Sequence, residues 1–318
     1  IYMAIRRPNK PPEAATEVFD TVQYTGNNTT NNVANSMLYT DLAWIKRHSS
    51  DKHNLTDRLR GNHVYTSTSA SSGDQTWNSG EYIALDQHYS TGRVGNVTGY
   101  NNSNGQLYSS WNFKRAPGFF DIVSYAGTGS NHSVAHNLTV PPELLIVKTN
   151  SHSDKWAIYA EPLGASKKLS FDQNSVSNIP ADYWQNTTPD ANYFYLGSET
   201  EVNQSGRNYL AYLFATLPGI SKVGSYTGTG NDINIDCGFT NGARFILIRR
   251  TDSDTYPHWH LYDSANRILT GNDNYFQPNV DSTLIGNEDN IDPLSSGFTV
   301  ASTATSEVNA SGGTYLFL

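Results

Sequence analysis

The feature that most constrains this chain is a pattern written three times. A tyrosine two residues ahead of a glycine recurs at Tyr24, Tyr125 and Tyr226, each 101 positions after the last. An apolar run closed by a cation recurs as Leu42–Lys46, Leu144–Lys148 and Phe245–Arg249. A Gly-x-x-Tyr strand start recurs at Tyr108, Tyr209 and Tyr315, spaced 101 and 106. Three anchors in register mean a repeat of about 100 residues, and the repeat sets the architecture before any single residue does.

Within each repeat the apolar runs are short, rich in Val, Ile, Tyr and Phe, and bounded by Gly, Asn, Asp or Pro, which reads as strand. Asn104-Gly105, Asn241-Gly242 and Gly271-Asn272 supply the positive-φ residues that tight turns need. The pattern predicts an all-β chain of three tandem β-sandwich repeats. Their spans are residues 19–117, 118–218 and 219–318, after a segment 1–18 made of the closing strand of a preceding repeat and a Pro-rich linker. Residues Ile1 to Arg6 match the segment after Tyr209, so Met3, Trp111 and Tyr212 are register equivalents, as are Ile5, Phe113 and Phe214. These ragged ends predict a piece of a longer array, or a strand that completes a neighbour's sheet. From Pro117 to Tyr125 and from Pro218 to Tyr226 is 8 residues, which leaves no flexible linker and predicts a rod. Glu161–Lys168 is the one stretch with a short helical turn.

Charge narrows the function. With 29 acidic and 21 basic residues the formal net charge is −8. No basic block is present, so nucleic acid is not an expected partner. No run of roughly 20 apolar residues is present, so membrane insertion is not expected either. The single cysteine, Cys237, excludes an intrachain disulfide and reads as a buried, inert thiol.

Candidate chemistry is sparse. Acids pair at Asp252 and Asp254 and cluster at Glu288, Asp289 and Asp292, in loops thick with Asn, Ser and Gly where Asx turns account for them. A Ca²⁺ loop at Gly286–Pro293 lacks the spaced carboxylates of a standard loop. His258 and His260 flank Trp259 on one strand face without a third zinc ligand. No catalytic residue, metal site or cofactor is therefore assigned. Aromatics beside polar loops are the better candidates for binding: Tyr183 and Trp184, with Trp156 and Trp259 at matching places in their repeats, form a candidate glycan-binding set. For Trp156 and Trp259, strand alternation favours the core. Trp111, Phe113, Tyr212 and Phe214 are expected to face inward.

The run from Ser124 through Leu144–Lys148, Trp156–Gly164 and Asn186–Gly219 resembles a tandem module of about 100 residues in tailed bacteriophages, notably marine ones. There it occurs in tail-fibre-like or structural virion proteins. The third repeat, from Ser225 to Ser253, is similar to a variant of the same module. The resemblance covers Phe19 to Leu318, is weakest through His63–Tyr100, and carries no catalytic residues. It implies a virion location, a fibre, appendage or capsid decoration, with other virion proteins, copies of itself and host-surface carbohydrate as partners. A fibre-borne depolymerase and a bacterial surface adhesin are the alternatives.

Overall fold

Alternation along the strand Asn208–Phe214 shows how the chain is built. Leu210, Tyr212 and Phe214 face a core that residues from all three repeats share. Tyr209, Ala211 and Leu213 between them face a second core private to their own repeat. A strand buried on both faces needs apolar residues at every position, which is why these runs do not alternate with polar ones. The computed structural model describes residues 10–29, 31–32, 38–77, 83–85, 93–94, 101–172, 177–178, 181–255 and 258–318.

Each repeat supplies one large antiparallel sheet in the same order: opening strand, closing strand, second strand, third strand. In unit one these are Phe19–Thr25, Leu107–Phe113, Leu42–Arg47 and His53–Asp57, extended by Val64–Ser67 and Gln75–Thr76. In unit two they are Phe120–Ala126, Asn208–Phe214, Leu144–Thr149 and Ala157–Ala160. In unit three they are Gly224–Thr227, Thr314–Phe317, Phe245–Arg250 and Trp259–Asp263. Smaller sheets cover the outer faces, such as His132–Ala135 with Tyr193–Leu196 in unit two. Among the described residues helix is confined to single turns, including Glu161–Leu163 inside the stretch expected to hold one.

The tyrosine anchors have a local cause. Tyr24 and Tyr108, Tyr125 and Tyr209, and Tyr226 and Tyr315 are cross-strand partners whose rings stack with centroids 5.1, 5.2 and 4.8 Å apart. The first hydroxyl of each pair donates to a backbone carbonyl before the closing strand, of Asn101, Val202 and Val308. Beside each stack a buried asparagine, Asn102, Asn203 or Asn309, accepts from a backbone N–H of the loop after the opening strand. The glycine two residues after the first tyrosine is forced by the same closure. A Cβ on Gly26, Gly127 or Gly228 would stand 2.2, 2.2 or 2.3 Å from a backbone oxygen.

The repeats do not form a rod. In a rod, units one and three would stand apart, yet Trp111 Nε1 donates to Asp263 Oδ2 at 3.0 Å and Thr21 Oγ1 to Asp263 Oδ1 at 3.1 Å. The other two seams are bonded as well. Tyr212 Oη donates to Asp57 Oδ2 at 2.8 Å between units two and one. Trp259 Nε1 donates to the Ser170 carbonyl at 3.0 Å between units three and two. One aromatic cluster, with Trp44, Trp111, Phe171, Trp259 and Phe276 in it, runs through the middle. The short junctions that suggested a rod are corners. Gly118 and Gly219 take φ of 77° and 76°, and the bridges Ala116–Phe120 and Leu217–Ser221 turn the chain back on itself. The expected strand at residues 1–6 lies outside the described residues. Lys10–Val18 is no free spacer: Pro12 and Val18 are buried, and Val18 belongs to the shared core.

Candidate functional site

The sheets open at the end where opening strands begin and closing strands finish. A cavity of about 790 Å³ lies there, within the range that takes a small molecule or a short peptide. Its back wall is aromatic. Phe113 of unit one has ring centroids of Phe19, Phe214 and Phe245 at 4.9, 5.6 and 5.6 Å, so one ring touches all three units' residues. Ile220, Ser221 and Leu318 of unit three complete the lining on one side.

Polar groups also line this cavity, among them Glu13, Asp20, Lys222, Asn241 and Arg244. The Arg244 guanidinium crosses from unit three to unit one and pairs with Asp20 at 3.0 Å, over the Phe19 ring. Glu13 bonds Lys10. Cys237 lines the wall, and burial, then Asp236, push its thiol up to about 11, so it stays protonated and unreactive at neutral pH. The Arg244–Asp20 and Glu13–Lys10 pairs engage part of the polar lining in internal contacts.

None of the four proposed glycan-binding rings presents a face to solvent. Trp156, Trp259, Tyr183 and Trp184 are 0, 1, 9 and 2 % exposed. Trp156 and Trp259 are seam residues: Trp156 Nε1 donates to the Ser67 carbonyl of unit one at 3.1 Å, the counterpart of the Trp259–Ser170 bond. Trp184 donates to the Lys167 carbonyl at 3.1 Å. The Tyr183 hydroxyl takes a bond from Lys168 at 3.2 Å, and Lys168 pairs with Glu201. Burial, with Glu201 beside it, holds the Tyr183 hydroxyl well above its ordinary range. Polar flanking sequence made Tyr183 and Trp184 look like a loop surface. The loop instead folds back over Tyr159 and covers them.

Four of the five candidate acids and both imidazoles are held in internal contacts, and Asp254 is exposed. Asp252 pairs with Arg250, Glu288 accepts from Tyr275, Asp289 from Thr303 and Asp292 from the Gly271 N–H. His260 lies 2.9 Å from Glu307, and His258 meets Asn279. Among the described residues no three His, Cys, Asp or Glu side chains gather as a metal site, and no helix is long and apolar enough to cross a membrane.

Sequence reasoning missed the buried cations. Lys46, Lys148 and Arg249, which close the repeated apolar runs, are all 0 % exposed. Lys46 Nζ donates to the Arg47 and Ser49 carbonyls at 2.7 and 3.0 Å and stands 5.8 Å from the Phe276 ring of unit three. Lys148 Nζ donates to the Ser71 carbonyl of unit one at 2.8 Å and to the Asp154 carbonyl. Desolvation lowers both lysines to about 8 and Arg249 to about 10. The signal was there: a cation recurring inside an apolar strand at one register is a buried cation, because a surface one has no reason to recur.

The cavity itself was also legible. Counting five back from each anchor tyrosine gives Phe19, Phe120 and Ser221, so the third copy lacks a ring where the others have one. A family model described as a domain of unknown function (DUF7483) matches residues 14–318. No curated protein matches the chain.

Proposed function

The chain belongs to the DUF7483 family, and we propose that it is a structural module of a bacteriophage virion. It serves as a rigid block in a tail fibre, appendage or capsid decoration, bonded to other virion proteins and copies of itself, with host-surface carbohydrate as a further contact. One observation carries the reading: the polar chemistry of the repeats is engaged in holding three units to one another. The seam donors Trp111, Trp156, Tyr212 and Trp259 and the buried cation Lys148 bond across units, and the Lys46 ammonium stands over Phe276 of unit three. Stranding any one of their partners costs about 1–3 kcal/mol, so these residues are tied to the scaffold and not free for turnover. The resemblance of the repeats to virion modules points the same way.

Mass spectrometry of purified phage particles tests it, with peptides of this chain expected at constant stoichiometry to other particle proteins. Incubation with host polysaccharide should release no new reducing ends. Release that disappears on replacing a carboxylate such as Asp252 would overturn the structural reading in favour of an enzyme, and absence from particles would overturn it in favour of an adhesin.

A further inference from the structure

Units two and three fasten the same turn in different ways. The single helical turns Thr200–Asn203 and Ser306–Asn309 each carry a glutamate at the second position and the lock asparagine at the fourth. Glu201 pairs with Lys168. Glu307 instead lies 2.9 Å from the fully buried imidazole of His260. Lysine ordinarily keeps its charge to about pH 10, whereas histidine ordinarily gains one only at roughly pH 6.5 and below.

A second titratable side chain holds the same layer. Asp273 is buried, and its carboxylate accepts from the Ile291, Asn290 and Leu269 N–H groups at 2.8, 3.3 and 3.4 Å. Asn290 Oδ1 accepts from the Thr305 N–H at 3.1 Å, and Thr305 opens the turn that carries Glu307. The line of contacts therefore runs from Asp273 through Asn290 to the turn, and from Glu307 back to His260 in the large sheet. Burial raises the Asp273 carboxyl to about 6; its backbone donors oppose the rise and Asp289 adds to it. Burial works to raise Glu307 too, but the His260 contact, with the charges of His258 and Arg249, holds it below the ordinary carboxylate range.

Other titratable groups face this layer. Tyr262 and Tyr275 stand beside the His260 ring, with centroids 6.3 and 4.8 Å away, and burial keeps both phenols protonated far above neutrality. Glu288, bonded to Tyr275, and Asp289 and Asp292 flank Asp273, so ionising Asp273 buries a charge in an acidic neighbourhood. Arg250 donates to the Ser306 carbonyl at 2.8 Å. His258 bonds Asn279 and is lowered by burial, so its titration acts in the opposite sense. It adjoins the strand Trp259–Asp263 of the large sheet, which stays in place when the outer layer lifts.

We infer that the outer layer of unit three is an acid-tightened latch on its own tyrosine lock, fastened when Asp273 and His260 are protonated and loosened when they are not. A released Asp273 titrates near about 4, so the stability it contributes is full below that value and is lost as pH rises through about 6. The His260–Glu307 contact is an ion pair only while the imidazole is charged, so it weakens in the same direction. Unit two, with lysine in place of histidine against the matching glutamate, keeps its hold throughout.

Hydrogen exchange of the purified chain tests this, read amide by amide at pH 5.5 and 7.5 and corrected for the intrinsic rate at each pH. Protection of Ile291 should fall about fourfold between the two, as the Asp273 titration requires, and Val308 and Asn309 should fall with it. Val202 and Asn203 of the matching turn should hold steady. Asp273→Asn should abolish the fall at Ile291, and His260→Gln should reduce that at Val308 and Asn309. Where a variant does not fold, the wild-type comparison of the two turns decides alone. A flat profile in unit three, an equal fall in unit two, or a fall that survives both substitutions overturns the inference.

Discussion

The outer ends of the three units are built from the same side chains three times, and the seams between units are not. At the outer ends the stacked tyrosines, the buried asparagine and the crowded glycine recur unchanged. At the seams, Trp111, Tyr212 and Leu318 occupy one register position, and Asp263, Asp57 and Ala160 occupy another. Two seams pair an aromatic donor with an aspartate, and the third puts leucine and alanine at both positions. The difference follows from where the partners lie. An outer lock has both halves in one copy, so every copy must keep both. A seam has its halves in different copies, and exchanging both polar partners for apolar ones is nearly neutral, whereas losing one alone is not.

The shared core offers the strongest way to break this comparison. Phe214→Ala removes a ring that contacts Phe113 and Phe120 at 5.6 and 4.7 Å and should cost about 3–5 kcal/mol. Because that ring lies in the core that all three units share, thermal melts of wild type and variant should each show one transition. Two separable transitions would mean that the units are independent after all.

Asn203→Ala tests the outer lock. Its amide donates to the Ser130 and Gly197 carbonyls, both at 2.6 Å, and its oxygen accepts from the Thr128 N–H at 2.8 Å. A loss of about 2–3 kcal/mol is expected, since buried partners are stranded. Hydrogen exchange should accelerate around Thr128 and Gly197 and leave the seams protected; uniform acceleration would show that the lock is not local. Trp259→Phe is the milder seam counterpart. It keeps most of the ring and strands the Ser170 carbonyl, for an expected loss of about 1–2 kcal/mol in urea midpoints. No loss would show that this bond contributes shape alone.

Much of this was readable beforehand. The period, the all-β class and the inward rings at Trp111, Phe113, Tyr212 and Phe214 follow from spacing and alternation, which are local properties of the chain. Closure is not local. A Pro-Gly corner of given length fits an extended junction or a reversal equally well, and only the contacts between units one and three decide it. The same limit explains Tyr183 and Trp184. Their neighbours are polar, but burial was decided by Tyr159, more than twenty residues upstream. Seam covariation was visible as three different residues at one register, yet without geometry nothing said that Trp111 faces Asp263 of another unit.

The smallest effect expected of any one side chain is a pH slope, and it reads the seam cations directly. Burial lowers Lys46 and Lys148 to about 8, against an ordinary 10.5. Between those values the unfolded chain binds more protons than the folded one, so stability rises with pH. Below about 8 both states are protonated and the cost of burying the charge is constant. The tyrosines act the other way. Burial holds Tyr24, Tyr125, Tyr212 and Tyr226 well above 10, so their ionisation in the unfolded chain pulls stability down from about pH 10. A maximum should therefore fall between pH 9 and 10, with a gain of about 1 kcal/mol from each of the two lysines between pH 7 and 9 in urea unfolding. Lys148→Met should lower stability by stranding the Ser71 carbonyl and should also flatten that slope by about half, because only Lys46 then titrates in the window. A slope unchanged by the substitution, or a midpoint that falls between pH 7 and 9, would place the ammonium groups in water and separate them from the seams.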